Sequence, residues 1–240
     1  MSVLIFRPEQ KCVNSAASFA EAGLPAIGIG LIDTQVCEHA LEQLPAALAA
    51  LKQNDCIIVT STVAGDLLNL RNIRIPANIN IFAVGASTAN NLRAQGYEVV
   101  VPQSPTTEGL LSLKQLVQLS GRNVVIIKGE GGRQDLAQQL TQRDANVYLA
   151  DIYRRIKIAT PKATQQWQAE QIRCIIATSG EMIESAFEQF EPKWLQSLPW
   201  IVVSPRTEQI AAKLGINTIF VSDDASDQAL IRRAKEFLEH

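Results

Sequence analysis

Four cations stand where short apolar runs end: Arg7, Lys128, Arg133 and Arg206. Arg154 and Arg155 lie on a further extended stretch. Among them are hydroxyls and glycines: Ser61, Ser87, Thr88, Gly129, Gly131, Ser179, Gly180 and Thr207. Cationic side chains, hydroxyls and free backbone N–H groups together suit a ligand bearing several carboxylates or phosphates. Each residue alone also has a plainer reading. A single Arg or Lys is a surface cation, and a Ser or Thr just before a helix commonly serves as its N-cap. The chemistry implied is binding, positioning and electrostatics, without a covalent step on the protein.

Signatures of other chemistries are missing. His39 and His240 are the only histidines and neither has a metal-ligand partner, which argues against a His-based triad or a zinc site. The run from Gly129 to Gln134 has Gln where a dinucleotide fingerprint needs Gly, and it lacks the Gly-Lys-Ser/Thr end of a P-loop. Gly28 and Gly30 read as a turn. The Ser/Asp cluster at 222–227 reads as a helix cap rather than a metal site. Trp167, Trp194 and Trp200 have no stacking pattern and read as packing. Cys12, Cys37, Cys56 and Cys174 never form a C-x-x-C pair, which fits reduced thiols in a cytoplasmic protein. No cofactor and no metal are expected.

The elements that must position these groups are strands and helices in alternation. Apolar runs at 3–6, 56–60, 79–84, 98–101, 124–128, 174–178, 200–204 and 217–221 read as strands buried on both faces. Helical patterns lie between them at 38–52, 88–95, 109–119, 135–143, 180–190, 207–214 and 228–238. That rhythm predicts an α/β protein with parallel sheets. The candidate residues then fall at the carboxyl ends of strands, where open α/β sheets bind their ligands. With 240 residues, 47% apolar and 19% charged, the chain has an ordinary globular composition. A formal net charge of −2 argues against a general nucleic-acid binder. No apolar run is long enough for a membrane span, and the apolar start is too short for a signal peptide.

The chain also repeats itself. The segment from Val3 to Glu9 aligns with 124–130, Asp55 to Ser61 aligns with 173–179, and Ile81 to Thr88 aligns with 200–207. All three pairs are separated by about 120 residues, so the chain reads as two similar α/β units. Extended segments at 29–36 and 148–160 hold equivalent places in the two repeats. They read as a two-stranded β connection between two flavodoxin/Rossmann-like lobes with a cleft between them.

In this order the segments resemble uroporphyrinogen-III synthase. The resemblance rests on Leu4-Ile-Phe-Arg-Pro-Glu-Gln, Ile57-Ile-Val-Thr-Ser, Ala83-Val-Gly-Ala-Ser-Thr, Thr107-Glu-Gly-Leu-Leu, Lys128-Gly-Glu-Gly-Gly-Arg, Ile152-Tyr-Arg-Arg, Thr178-Ser-Gly-Glu and Val203-Ser-Pro-Arg-Thr. After Ser61 the chain reads Thr62-Val-Ala-Gly where Asn-Ala-Val is common in the family. The resemblance implies lobe one from 1–30 plus 159–240, lobe two from 37–147, and connecting strands at 31–36 and 148–158.

It also implies a reaction. Linear hydroxymethylbilane loses its hydroxyl as water, and the resulting azafulvene cation is attacked by the substituted carbon of ring D. The spiro product fragments and recloses as uroporphyrinogen III. The matching tyrosine, Tyr153, would assist departure of the hydroxyl, and the strand-end residues would hold the eight carboxylates. A cytoplasmic monomer is expected, without nucleic-acid or membrane partners, receiving its substrate from hydroxymethylbilane synthase. Two other readings share the architecture: a non-enzymatic two-lobed binding protein for an anionic metabolite, and a glycosyltransferase with twin lobes.

Overall fold

The computed structural model describes residues 2–131 and 134–238. In chain order the elements are β1 (Ser2–Pro8), α1 (Glu9–Glu21), β2 (Ala26–Val36), α2 (Glu38–Ala49), β3 (Cys56–Val59), α3 (Thr62–Leu70), β4 (Asn80–Ala83), α4 (Ala86–Ala94), β5 (Val99–Val100) and α5 (Thr107–Leu111). There follow β6 (Asn123–Gly129), α6 (Asp135–Gln142), β7 (Asn146–Lys157), β8 (Ile172–Ala177), α7 (Gly180–Gln189), α8 (Pro192–Ser197), β9 (Trp200–Val202), α9 (Pro205–Lys213), β10 (Ile219–Val221) and α10 (Asp227–Leu238). They build two compact units, one from Met1–Thr34 with Ile156–His240 and the other from Gln35–Arg155. The chain passes between units inside β2 and again inside β7.

The first unit has strand order β10-β9-β8-β1-β2. Numbered within the unit this is 2-1-3-4-5, the flavodoxin-like order, with its reversal between β1 and β8. The second unit has order β5-β4-β3-β6-β7, which is 3-2-1-4-5, a Rossmann-like order reversing between β3 and β6. The pairings of β1 with β2 and β8, and of β3 with β4 and β6, are parallel. Within each unit the carboxyl ends of these strands therefore share one edge.

Alternate residues of each strand feed opposite faces, as a pleated strand requires. Ile57, Val59, Ile81, Ala83, Val125 and Ile127 enter one core of the second unit, and Cys56, Ile58, Phe82, Val124 and Ile126 the other. In the first unit Leu4 and Phe6 pack on one face and Val3 and Ile5 on the other. Each fully buried side chain of this size contributes about 1.5–3 kcal/mol, so the central strands carry much of the stability. Asp55 is buried beside this core and ties the start of β3 to that of β6. Its carboxylate accepts from the N–H of Lys52 at 2.8 Å and from the backbone and side chain of Asn123 at 2.9 and 3.0 Å.

The internal repeat has a structural counterpart. Thr60 donates its N–H to the carbonyl of Ile127, and Thr178 donates its own to that of Phe6. The serine after each threonine caps the next helix: Ser61 accepts from Ala64 N–H and Ser179 from Met182 N–H.

Three expectations need correction. The helix expected at 109–119 ends at Leu111 and gives way to a 3-10 turn at Lys114–Leu116. Leu110, Leu113, Leu116 and Leu119 recur every third residue, a spacing that suits a 3-10 turn better than a continuous α-helix. Gly28 and Gly30 lie inside β2 and form no turn. A Cβ on Gly28 would meet the Cys12 carbonyl oxygen at 2.8 Å, and one on Gly30 would meet the Cα of Glu9 at 2.6 Å. The glycines thus let α1 lie close against β2. The extended segments also begin earlier than expected, since β2 starts at Ala26 and β7 at Asn146, each as a full strand of its sheet.

Candidate active site at the strand ends

In the second unit the carboxyl ends of β3 and β6 adjoin where the strand order reverses, the place where such sheets hold ligands. Ser61 follows β3, Lys128 and Gly129 close β6, and Tyr153 lies near the end of β7. The β6–β7 register slips between Lys128 and Gly129: Lys128 pairs with Asp151, but Gly129 pairs with Tyr153. The slip is a β-bulge, which breaks alternation, so Ile152 and Tyr153 are both buried. It seats the tyrosine ring against Gly129. A Cβ on that glycine would lie 2.6 Å from both Cε2 and Cζ of the ring.

Four further contacts hold this corner. The Lys128 ammonium donates to Asp151 Oδ1 at 2.8 Å and to the Gly131 carbonyl at 2.7 Å. The Glu130 N–H donates to the Tyr153 carbonyl at 2.6 Å. The Tyr153 hydroxyl donates to Ser61 Oγ at 2.9 Å, and Tyr153 as a whole is only 5% exposed. Cys37 lies nearby; burial, with Glu130 next in weight, raises its thiol above the usual range. Burial pushes Cys12 and Cys174 up to about 12 and Cys56 to about 11, so these three thiols are packing groups.

The other candidates divide between bracing and exposed roles. Ser179 is a helix cap, and Thr207 shares a capping box with Ser204. Gly180 admits Ile210, whose Cδ1 would lie 2.4 Å from an added Cβ. Arg7 is 6% exposed; its guanidinium donates to Ser15 Oγ at 2.8 Å, to the Ala225 carbonyl at 2.9 Å and to Asp227. Arg7 and Lys128 align in the repeat, and both are engaged by an aspartate within their own units. Neither is the open cation expected from its place in the sequence. Arg206 is exposed, as are Ser87 and Gly131, while Thr88 is buried in the first turn of α4. That helix begins at Gly85 with no side-chain cap. Arg154 donates to Gln35 at 2.7 Å. Arg133 lies outside the described residues.

The 222–227 cluster caps and pairs: Ser226 Oγ accepts from Ala229 N–H, and Asp227 holds Arg7. Among the described residues no group of three or more His, Cys, Asp or Glu could hold a metal ion. Sequence reasoning missed Asp151 and read Asp227 only as part of a helix cap, because their pairings with Lys128 and Arg7 depend on folding. A carboxylate two residues before Tyr153 was the one local sign. The hydroxyl pair at β3 and β7 joined two residues already singled out separately.

A family model described as Uroporphyrinogen-III synthase HemD matches residues 14–232. The chain belongs to the uroporphyrinogen-III synthase family. Uroporphyrinogen-III synthase of Escherichia coli is 30% identical over 244 residues, covering 97% of this chain and 99% of that protein. Two solved structures share the fold. A mutant uroporphyrinogen III synthase from Thermus thermophilus has a TM-score of 0.65 at 14% identity, covering 100% of both chains. Uroporphyrinogen-III synthetase from Helicobacter pylori has a TM-score of 0.61 at 15% identity, covering 99% of this chain and 100% of that one. No helix among the described residues is long and apolar enough to cross a membrane.

Proposed function

We propose that the protein cyclises hydroxymethylbilane to uroporphyrinogen III with loss of water and inversion of ring D, a hydro-lyase reaction. Family membership over nearly the whole chain carries this reading. The site chemistry supports it. The bilane's pyrroles are electron-rich and close without help to the uninverted isomer. A synthase must therefore ease departure of the hydroxyl and hold the chain against direct closure. Hydrogen-bond donors and shape meet that demand without a strong nucleophile.

Tyr153 is the group we assign to departure of the hydroxyl, because its phenol is fixed at the strand-order reversal by Gly129 and Ser61. A positioned general acid contributes about 10²–10⁴-fold. Arg206, the N–H groups opening α7 and the uncapped first turn of α4 are each assigned as contacts for the substrate's carboxylates. The enzyme acts in this reading as a cytoplasmic monomer fed by hydroxymethylbilane synthase. Three deeply buried thiols suit a reducing compartment.

The test supplies the bilane made in situ and separates the products. Isomer III rising with enzyme concentration is the expected result; isomer I alone at every concentration would overturn the proposal. A binding protein without activity has no observation in its favour, since it leaves family membership unexplained.

A further inference from the structure

We infer that Ser61 hands the proton to the departing hydroxyl, and that Tyr153 acts through it. The inference rests on the reading of Tyr153 given above and deepens it. Tyr153 is nineteen-twentieths buried and its hydroxyl is directed at Ser61 Oγ, 2.9 Å away. A phenol is a stronger acid than an alkanol, so the tyrosine donates in this pair. Ser61 Oγ also accepts the Ala64 N–H at 3.1 Å. Both lone pairs of the serine oxygen are then occupied, and its own proton points elsewhere. Ser61 is the more exposed of the two residues. The proton that a substrate meets first is the serine's.

In the step, the Ser61 proton moves to the oxygen of the bilane's hydroxymethyl group as the C–O bond breaks. The bonding pair leaves with water. The lone pair of the adjoining pyrrole nitrogen fills the vacated carbon, giving the azafulvene cation. The Tyr153 proton replaces the one lost from Ser61, and a phenolate remains near the start of α3. The positive end of that helix favours the negative charge. When the unsubstituted carbon of ring D makes the final bond, its hydrogen leaves as a proton and returns through Ser61 to the phenolate. The balance is one bilane to one macrocycle and one water.

The experiment compares Ser61→Gly, Ser61→Asn, Ser61→Thr, Tyr153→Phe and the double variant Ser61→Gly with Tyr153→Phe. Gly is nearly as good an N-cap as Ser, and Asn keeps a capping oxygen, so the fold survives without the hydroxyl. Thermal melts of each variant check this. For a relay, Ser61→Gly, Ser61→Asn and Tyr153→Phe each lower kcat by about tenfold or more, with KM within about twofold of wild type. The double variant falls no further than the worse single one, because the two residues act as a unit. Ser61→Thr recovers most of the rate. Wild-type kcat in folded Ser61→Gly or Ser61→Asn, beside a slow Tyr153→Phe, would overturn the relay and leave Tyr153 as the direct donor. Losses that multiply in the double variant would overturn it as well. Wild-type kcat in Tyr153→Phe would instead overturn the reading on which the relay rests.

Discussion

Gly129 and the ring of Tyr153 compete for one place: a Cβ on the glycine would lie 2.6 Å from the ring atoms Cε2 and Cζ. Real Cβ atoms do not approach so closely, so Gly129→Ala must displace the ring or the end of β6. Overpacking of this kind costs about 1–3 kcal/mol. The expected outcome is a lower melting temperature together with a kcat reduced by about tenfold, as the phenol leaves its line to Ser61. Unchanged kcat with an unchanged melt would show that the ring position does not matter.

Arg7→Ala should act on stability. Its guanidinium is engaged by Asp227, Ser15 and the Ala225 carbonyl, and it ties the end of β1 to the start of α10. Removing one partner of a largely buried pair costs about 3 kcal/mol. Asp227→Ala should cost a similar amount, and the two should not add. Denaturant unfolding measures both. A raised KM with unaltered stability would instead make Arg7 a ligand contact.

Arg206→Ala should do the opposite. The side chain is exposed, so its loss leaves the melting temperature unchanged. KM for the bilane should rise about twofold to fivefold, the scale of an exposed charged contact. Added salt should narrow the difference, since exposed charges are screened. KM equal to wild type at low salt would remove Arg206 from the site.

Asp55→Asn tests an acid-sensitive brace. Burial works against the Asp55 carboxylate, but donation from Lys52 and Asn123 outweighs it and holds the group below its ordinary value of 3.8. The folded state therefore binds the proton less readily than the unfolded chain. The carboxylate's contribution is full above about pH 5 and is lost progressively as pH falls through 3.8 toward the folded value. Near neutrality the substitution should cost about 2 kcal/mol, the worth of hydrogen bonds to a charged acceptor. The gap between wild type and variant should stay level from pH 7 to about 5 and narrow below 3.8. Unfolding curves across this range check the sign, and a gap that widens on acidification would contradict it.

Strands buried on both faces were the easiest elements to read, because a run such as Val3, Leu4, Ile5 and Phe6 needs no partner to reveal itself. The serines at 61 and 179 were also legible, since capping is a local interaction. What sequence reading could not supply depends on distant pairing. Arg7 and Asp227 are 220 residues apart, and nothing near Arg7 signals that its charge is engaged. The bulge opposite Lys128 and Gly129 exists only in the β6–β7 ladder, so the extended segment at 148–160 could not by itself foretell that Tyr153 is buried. Gly28 and Gly30 suggested a turn because their reason, the close approach of α1, is likewise tertiary.

The placement of β1 between β2 and β8 bears on how the protein is made. As the chain leaves the ribosome, β2 follows β1 almost at once, yet β8 arrives about 165 residues later, roughly ten to thirty seconds at ordinary elongation rates. All of Gln35–Arg155 emerges in that interval and contains β3, β4, β5 and β6 whole. β1 thus waits with one edge unpaired while a unit begun after it can finish. Slowed translation between β7 and β8 would lengthen that wait, and with it the time an unpaired strand edge is open to pairing with another chain.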